Sequence, residues 1–237
     1  MDQIRYCRFG ALELIYLHNR PLNYKKHNHV STYTVGLVLD GEVTLHCENQ
    51  VRRVAAGGFF VIYPYQVHAL SLPANYTLVS LCIQKKHLKQ VTRRQLVEML
   101  YKTLLQVSVK VRVALLADAV QALYSPNQPH TENMYLNKNV NALWQTPEEN
   151  TNLQKMANEV YLSKFYYIKC FKQAVGLTPH QFQLQNKVRK AQRMIENGST
   201  LSQTAVQLGF CDQSHFIKCF KAVVGLTPAQ YRQAIQR

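Results

Sequence analysis

The chain has 237 residues with 28 Lys and Arg against 13 Asp and Glu, a formal charge of +15, and hydrophobic and charged fractions of 47% and 17%. That length accommodates two modest domains, the composition argues against extensive disorder, and the positive excess favours a polyanionic partner such as nucleic acid or acidic lipid. No apolar run reaches the roughly 18 to 20 residues of a membrane span and the N-terminal MDQIRYCRFG lacks a signal-peptide core, so a cytoplasmic protein with no membrane partner is expected.

From Ala11 to about Gln84 the chain reads as short apolar or alternating runs: ALELIYLH, STYTVGLVL, EVTLHC, FFVIYP and YTLVSLCI. These predict strands of an antiparallel barrel or sandwich. Asp40-Gly41 lies between two of them and suits a tight hairpin. Between Lys86 and Leu123 the period lengthens, with Leu96, Met99, Leu100, Thr103, Leu104 and Val107 on one stripe and Leu116, Ala119, Val120 and Leu123 on another. Amphipathic helices follow, which cover one side of the barrel and, in a sharper reading, also pair two subunits. Ser125 to Thr151 carries three prolines among many polar residues and reads as a linker, within which Val140, Leu143 and Trp144 form a short helix. The six cysteines include no C-x-x-C pair and are expected to be reduced and mostly structural.

The most informative feature is a repeat. YIKCFKQAVGLTP from Tyr167 and FIKCFKAVVGLTP from Phe216 agree at ten of thirteen positions, 49 residues apart. Each follows a shorter helical stretch, with Ala157 in the first and Ala205 in the second, and then a tight turn. The pattern is helix, turn, helix, twice. Thr200 with Gln203 predicts a capping box, Gly209 a left-handed turn, and Ser163 and Asp212 caps for the two longer helices. Gly176 and Gly225 end those helices, and Thr178-Pro179 and Thr227-Pro228 start the next ones. Between the units, Pro179 to Asn197 forms a basic helix stopped by Gly198. At 1.5 Å per residue it is roughly 28 Å long, close to the ~34 Å between successive major-groove faces. From Thr151 onward 12 Lys and Arg face only three acids. Double-stranded DNA is the partner this favours.

The second unit, AVQLGFCDQSHFIKCFKAVVGLTPAQYR, resembles the signature of the AraC/XylS family of bacterial transcription regulators, over about Thr151 to Arg232. The resemblance implies a sequence-specific DNA-binding regulator whose two recognition helices enter adjacent major grooves, usually to activate transcription through contact with RNA polymerase. Carried over by position, Tyr167, Phe171, Phe216 and Phe220 are core. Lys164, Phe165, Tyr166, Ile168 and Lys169 of the first unit face DNA, as do Gln213, Ser214, His215, Ile217 and Lys218 of the second. Lys can reach guanine or phosphate, Gln can read adenine, and apolar groups can touch a thymine methyl. Lys172 and Lys221 are solvated or phosphate-facing. The first unit departs more from the family pattern, with Tyr161 near the turn where a small residue is common.

The N-terminal half resembles the cupin-like effector domain of such regulators, and GGFFVIYPYQVHAL from Gly57 is similar to the second cupin motif. A small effector bound in the barrel and a homodimer formed through the following helices are implied. The fold class expected is therefore α+β with two domains: residues 1–124 a cupin-like barrel with possible dimerisation helices at about 86–124, residues 125–150 a linker, and residues 151–237 an all-α double helix-turn-helix domain.

His27 and His29 form an H-x-H pair whose imidazoles share a strand face, and His68 lies where a cupin's later metal histidine falls. Three neutral imidazoles suit a divalent metal; the alternative is that they line an organic-effector pocket or lie at the surface. A cupin metalloenzyme using His27, His29 and His68 is the rival function, but it leaves the C-terminal repeat unexplained. With no G-x-S-x-G and no phosphate-binding loop, the chain is read as a regulator and not an enzyme.

Overall fold

The computed structural model describes residues 3–10, 12–47, 50–125 and 136–235. They divide into two compact units: residues 3–23 and 29–125 form the first, residues 24–28 and 136–235 the second. Among the described residues no helix is long and apolar enough to cross a membrane.

The first unit contains nine strands: β1 (Gln3–Phe9), β2 (Leu12–His18), β3 (Leu22–His27), β4 (Thr32–Asp40), β5 (Glu42–Cys47), β6 (Gln50–Ala55), β7 (Phe59–Ile62), β8 (His68–Leu72) and β9 (Thr77–Gln84). The last residues of β3 fall in the segment grouped with the second unit. Five strands form one sheet in the order β1-β2-β9-β4-β7 and four form another in the order β3-β8-β5-β6. Helices α1 (Lys85–Leu88), α2 (Arg93–Gln106) and α3 (Val113–Leu123) follow.

Alternation along the strands assigns the two faces of the larger sheet. Leu12 and Leu14 of β2, Tyr33, Val35 and Leu37 of β4, and Val79, Leu81 and Ile83 of β9 pack with Leu96, Leu100 and Leu104 of α2 and Leu116, Ala119, Val120 and Leu123 of α3. Each fully buried aliphatic side chain there contributes about 1.5 to 3 kcal/mol. The helices thus cover the sheet, the role common to both readings of the stripe. Met99, placed on that stripe by its spacing, is instead 38% exposed, because its neighbours at 96, 100, 103 and 104 already fill the buried face. The opposite face of the sheet carries the buried Thr34, Phe60, Ile62, Leu78 and Cys82. Gly36 pairs with Phe60 across β4 and β7, and a Cβ on Gly36 would sit 2.1 Å from the Phe60 ring. The aromatic ring fills the space that glycine leaves.

Asp40-Gly41 makes a tight turn but not a hairpin. β4 and β5 lie in different sheets, so the turn carries the chain from one to the other, and only Gly41 has positive φ, at 67°. Gly41 is required there twice over, since a Cβ would also lie 2.1 Å from the Asn75 carbonyl oxygen. The hydrophobic alternation resumes in β5, which pairs with β6 and β8.

The second unit is helical: α4 (Asn137–Gln145), α5 (Leu153–Asn158), α6 (Lys164–Val175), α7 (Pro179–Glu196), α8 (Leu201–Gln207), α9 (Gln213–Val224) and α10 (Pro228–Ile235). α4 lies within the polar stretch expected as a linker and packs on α7 through a face that includes the buried Val140 and Leu143. The core is aromatic. Tyr167, Phe171 and Phe182 form one ladder, with ring centroids 6.0 and 5.8 Å apart; Phe210, Phe216, Phe220 and Tyr231 form the other, at 5.1, 5.7 and 5.5 Å. Such offset and edge-on pairs add to the burial of the rings themselves. Tyr231 also donates its hydroxyl to Glu196, tying α10 to the end of α7.

Candidate nucleic-acid interface

Two helix-turn-helix units, α5 with α6 and α8 with α9, are built by the same local interactions. In the first, the Leu162 amide donates to the Ala157 carbonyl at 3.0 Å and Tyr161 takes φ 55°; in the second, Phe210 donates to Ala205 at 3.0 Å and Gly209 takes φ 63°. Up to this point the copies are offset by 48 residues. The caps of the longer helices are offset by 49, since Ser163 accepts from the Tyr166 amide and Asp212 from the His215 amide at 2.7 Å. The second turn therefore holds one additional residue, between Phe210 and Asp212, which is the exposed Cys211. Ala157 and Ala205 are both buried beneath the turns, where a larger side chain would push the helices apart.

The other ends follow the expected chemistry. Thr178 and Thr200 each form a complete capping box, with Gln181 and Gln203, and Gly176 and Gly225 close α6 and α9 in the left-handed conformation. Replacing Thr200 with alanine leaves the Gln203 amide of α8 without its acceptor and is expected to cost about 1 kcal/mol, against little change for Thr200→Ser. Denaturant melts of the two variants check this; equal stabilities would show the cap to be idle.

The start of α6 presents Lys164, Phe165, Tyr166 and Lys169 to solvent, with Ile168 half-buried and Lys172 exposed one turn later. The start of α9 presents Gln213, Ser214, His215 and Lys218, with Ile217 half-buried and Lys221 exposed. Neither helix has an acid in its first turn. At α6, capped by the neutral Ser163, the positive helix end and the lysines add, which favours phosphate; at α9 the Asp212 cap offsets part of the helix-end charge and Lys218 and Lys221 supply the positive charge. Tyr167, Phe171, Phe216 and Phe220 are fully buried on the opposite sides. Lys187 of the connecting helix α7 reaches the Gly209 carbonyl at 3.3 Å and lies 5.7 Å over the Phe210 ring. It braces the second turn from behind.

Sequence spacing did not reveal that Tyr161 occupies the left-handed turn position. The signal was present, because counting back 48 residues from Gly209, and not 49, lands on it. The side chain is 97% exposed, and Phe165 and Tyr166 beside it are 84% and 54% exposed.

In the first unit His29 and His68 stack, ring centroids 5.1 Å apart and 18° from parallel, with ring nitrogens within 4.8 Å of each other. His68 is buried on β8 and its Nδ1 pairs with the Gln66 carbonyl at 3.0 Å. His27, grouped with the second unit, pairs its Nδ1 with the Lys25 carbonyl. Burial and then the Arg189 guanidinium push its pKa down to about 4, against the opposing pull of that carbonyl. It is neutral at physiological pH, the form that accepts hydrogen bonds or ligates a metal. His18 and His46 are engaged with Thr77 and Ser71. A cavity of about 660 Å³ lies apart from these, between β6, β7 and α3, lined by Arg52, Phe59, Tyr63 and Asp118 among others.

A family model described as an AraC-like ligand binding domain matches residues 9–132, more than half of the chain, and one described as a helix-turn-helix domain matches residues 156–234. The chain belongs to the AraC family of transcription regulators. This AraC-family chain is 24% identical to an uncharacterised helix-turn-helix transcriptional regulator, YbfI, of Bacillus subtilis (strain 168), over 77% of this chain and 78% of that one. Its two-domain fold is similar to that of ToxT from Vibrio cholerae O395, with a TM-score of 0.65 at 12% identity over 96% of this chain and 99% of that one. A structure of unsaturated-fatty-acid-bound ToxT from Vibrio cholerae strain SCE256 matches with a TM-score of 0.62 at 14% identity, over 94% and 95%. As an AraC-type regulator the chain combines an N-terminal ligand-binding domain with a C-terminal DNA-binding one.

Proposed function

We propose that this regulator is a cytoplasmic, dimeric activator that holds two adjacent major grooves with α6 and α9 and responds to a small effector. The observation that carries the reading is the pair of matched turns, each leading into a helix whose exposed start carries lysine, with Phe165 and Tyr166 beside it in α6 and Gln213, Ser214 and His215 beside it in α9. α7, with 18 residues, spans about 27 Å and spaces the two recognition helices for successive grooves, with the shortfall from ~34 Å favouring bent DNA. Lys164, Phe165, Tyr166, Ile168 and Lys169 read the first groove; Gln213, Ser214, His215, Ile217 and Lys218 read the second; Lys172 and Lys221 hold phosphates. Residues 1–124 bind the effector, with dimerisation through the region 86–124, residues 125–150 connect, and residues 151–237 bind DNA and meet RNA polymerase. No catalytic step is assigned.

The ligand-binding domain matched over residues 9–132 supports an effector in this unit, and an unsaturated fatty acid is what one ToxT structure holds. The metalloenzyme reading has the stacked His29 and His68 in its favour but gives the second unit no role. Regulation accounts for both units.

Phosphate contacts make affinity depend on salt. The logarithm of the binding constant is expected to fall against log salt with a slope of about −0.9 per phosphate neutralised, so about −2 from Lys172 and Lys221 and steeper for each further lysine that meets a phosphate. Titrating the purified chain onto a bound duplex at several salt concentrations measures it; a slope near zero would contradict the proposal.

A further inference from the structure

We infer that Tyr161 is an additional DNA-contacting residue, which extends the interface of the first helix-turn-helix unit from α6 onto the turn before it. The inference rests on the proposed DNA-binding reading and adds a contact to it. Tyr161 and Gly209 fill equivalent positions, fixed by the paired hydrogen bonds from Leu162 to Ala157 and from Phe210 to Ala205. Both are left-handed, at φ 55° and 63°. A glycine adopts that conformation without strain, whereas the β-carbon of a tyrosine crowds its own backbone there. The first unit therefore keeps a strained residue where its own second copy shows that glycine suffices. The side chain does not repay this within the fold, since it is 97% exposed.

What would cover it is indicated by its surroundings. Tyr161, Phe165 and Tyr166 are three exposed aromatic residues within six positions, interleaved with Lys164 and followed by Lys169, at a helix start with no acid in its first turn. Apolar rings next to uncompensated positive charge match a surface that is itself apolar and anionic: the thymine methyls, sugars and phosphates along a groove edge. The Tyr161 ring packs on the sugar-phosphate edge and its hydroxyl donates to a phosphate oxygen, while Phe165 and Tyr166 meet base edges. The second unit, with Gly209 at this position, lacks the contact, so the first half-site is held by aromatic packing to a greater degree than the second.

The test is Tyr161→Gly in the full-length chain, on a duplex selected by the wild type. Removing the strain raises the melting temperature, and removing the side chain weakens DNA binding by about tenfold. Tyr161→Phe, which keeps the ring and the strain, binds more tightly than Tyr161→Gly and melts as the wild type does. Unchanged affinity in Tyr161→Gly overturns the inference, whether or not transcription is lost; lost transcription at unchanged affinity would place a protein on the patch instead. A melting temperature that falls also overturns it, since the tyrosine would then be supporting the fold. Failure of the wild type to bind any duplex would instead overturn the DNA-binding reading beneath it.

Discussion

Replacing Phe220 with alanine is expected to remove roughly 3 to 5 kcal/mol of stability and with it specific DNA binding. The ring is fully buried on α9, 5.7 Å from Phe216 and 5.5 Å from Tyr231. It joins the recognition helix to α10, whose Tyr231 is hydrogen-bonded to Glu196 at the end of α7. Truncation opens a cavity at the point where three helices meet, and the surrounding rings are too rigid to close it. Phe220→Leu keeps most of the volume and is expected to cost about a third as much. Denaturant unfolding of both variants, followed by near-ultraviolet signals from the aromatic core, reads the difference; equal losses would mean that the ring ladder does not hold the second unit together.

The second large effect falls on recognition. Lys218→Ala is expected to weaken binding to the selected duplex by about 1 to 3 kcal/mol, close to tenfold or more, and to relax preference in the block read by α9. Lys218 is exposed, so stability stays within about 0.5 kcal/mol of the wild type. Lys221→Ala provides the contrast. Facing phosphate one turn later, it weakens all sequences alike and reduces the salt slope by about one. If the two variants lose affinity equally on every sequence, neither lysine reads bases.

The helical half was legible because its local signals agree with one another. The repeated FK, GLTP and capping residues each demand a particular backbone, and the structure places the caps at Ser163, Thr178, Thr200 and Asp212 and the left-handed ends at Gly176 and Gly225. What spacing missed was Tyr161, since tyrosine carries no preference for the conformation it adopts. In the barrel, the central strands β2, β4 and β9 showed their apolar runs, but β1, β3 and β6 did not. All three lie at sheet edges, where charged residues such as those of QVRRVA and LNYKKH face solvent and mask the alternation. In β8, HALSL, His68 and Ser71 interrupt the apolar run, whereas the shorter β7, FFVI, is apolar throughout. The turn at Asp40-Gly41 was recognised, whereas the change of sheet that follows it depends on long-range pairing of β5 with β8. The exposed residues of α6 and α9 were expected from the family pattern, and no local propensity would have selected them, since a base-reading side chain and a solvated one look alike in sequence.

The central claim is that the two helix-turn-helix units read DNA together. Selection of bound sites from a random duplex library by the purified full-length chain at near-physiological salt tests it most directly. The account predicts an enriched motif with two blocks about one helical turn apart, roughly 10 base pairs centre to centre. Enrichment of a single block, or of no motif while the chain still retains duplex at low salt, would contradict it.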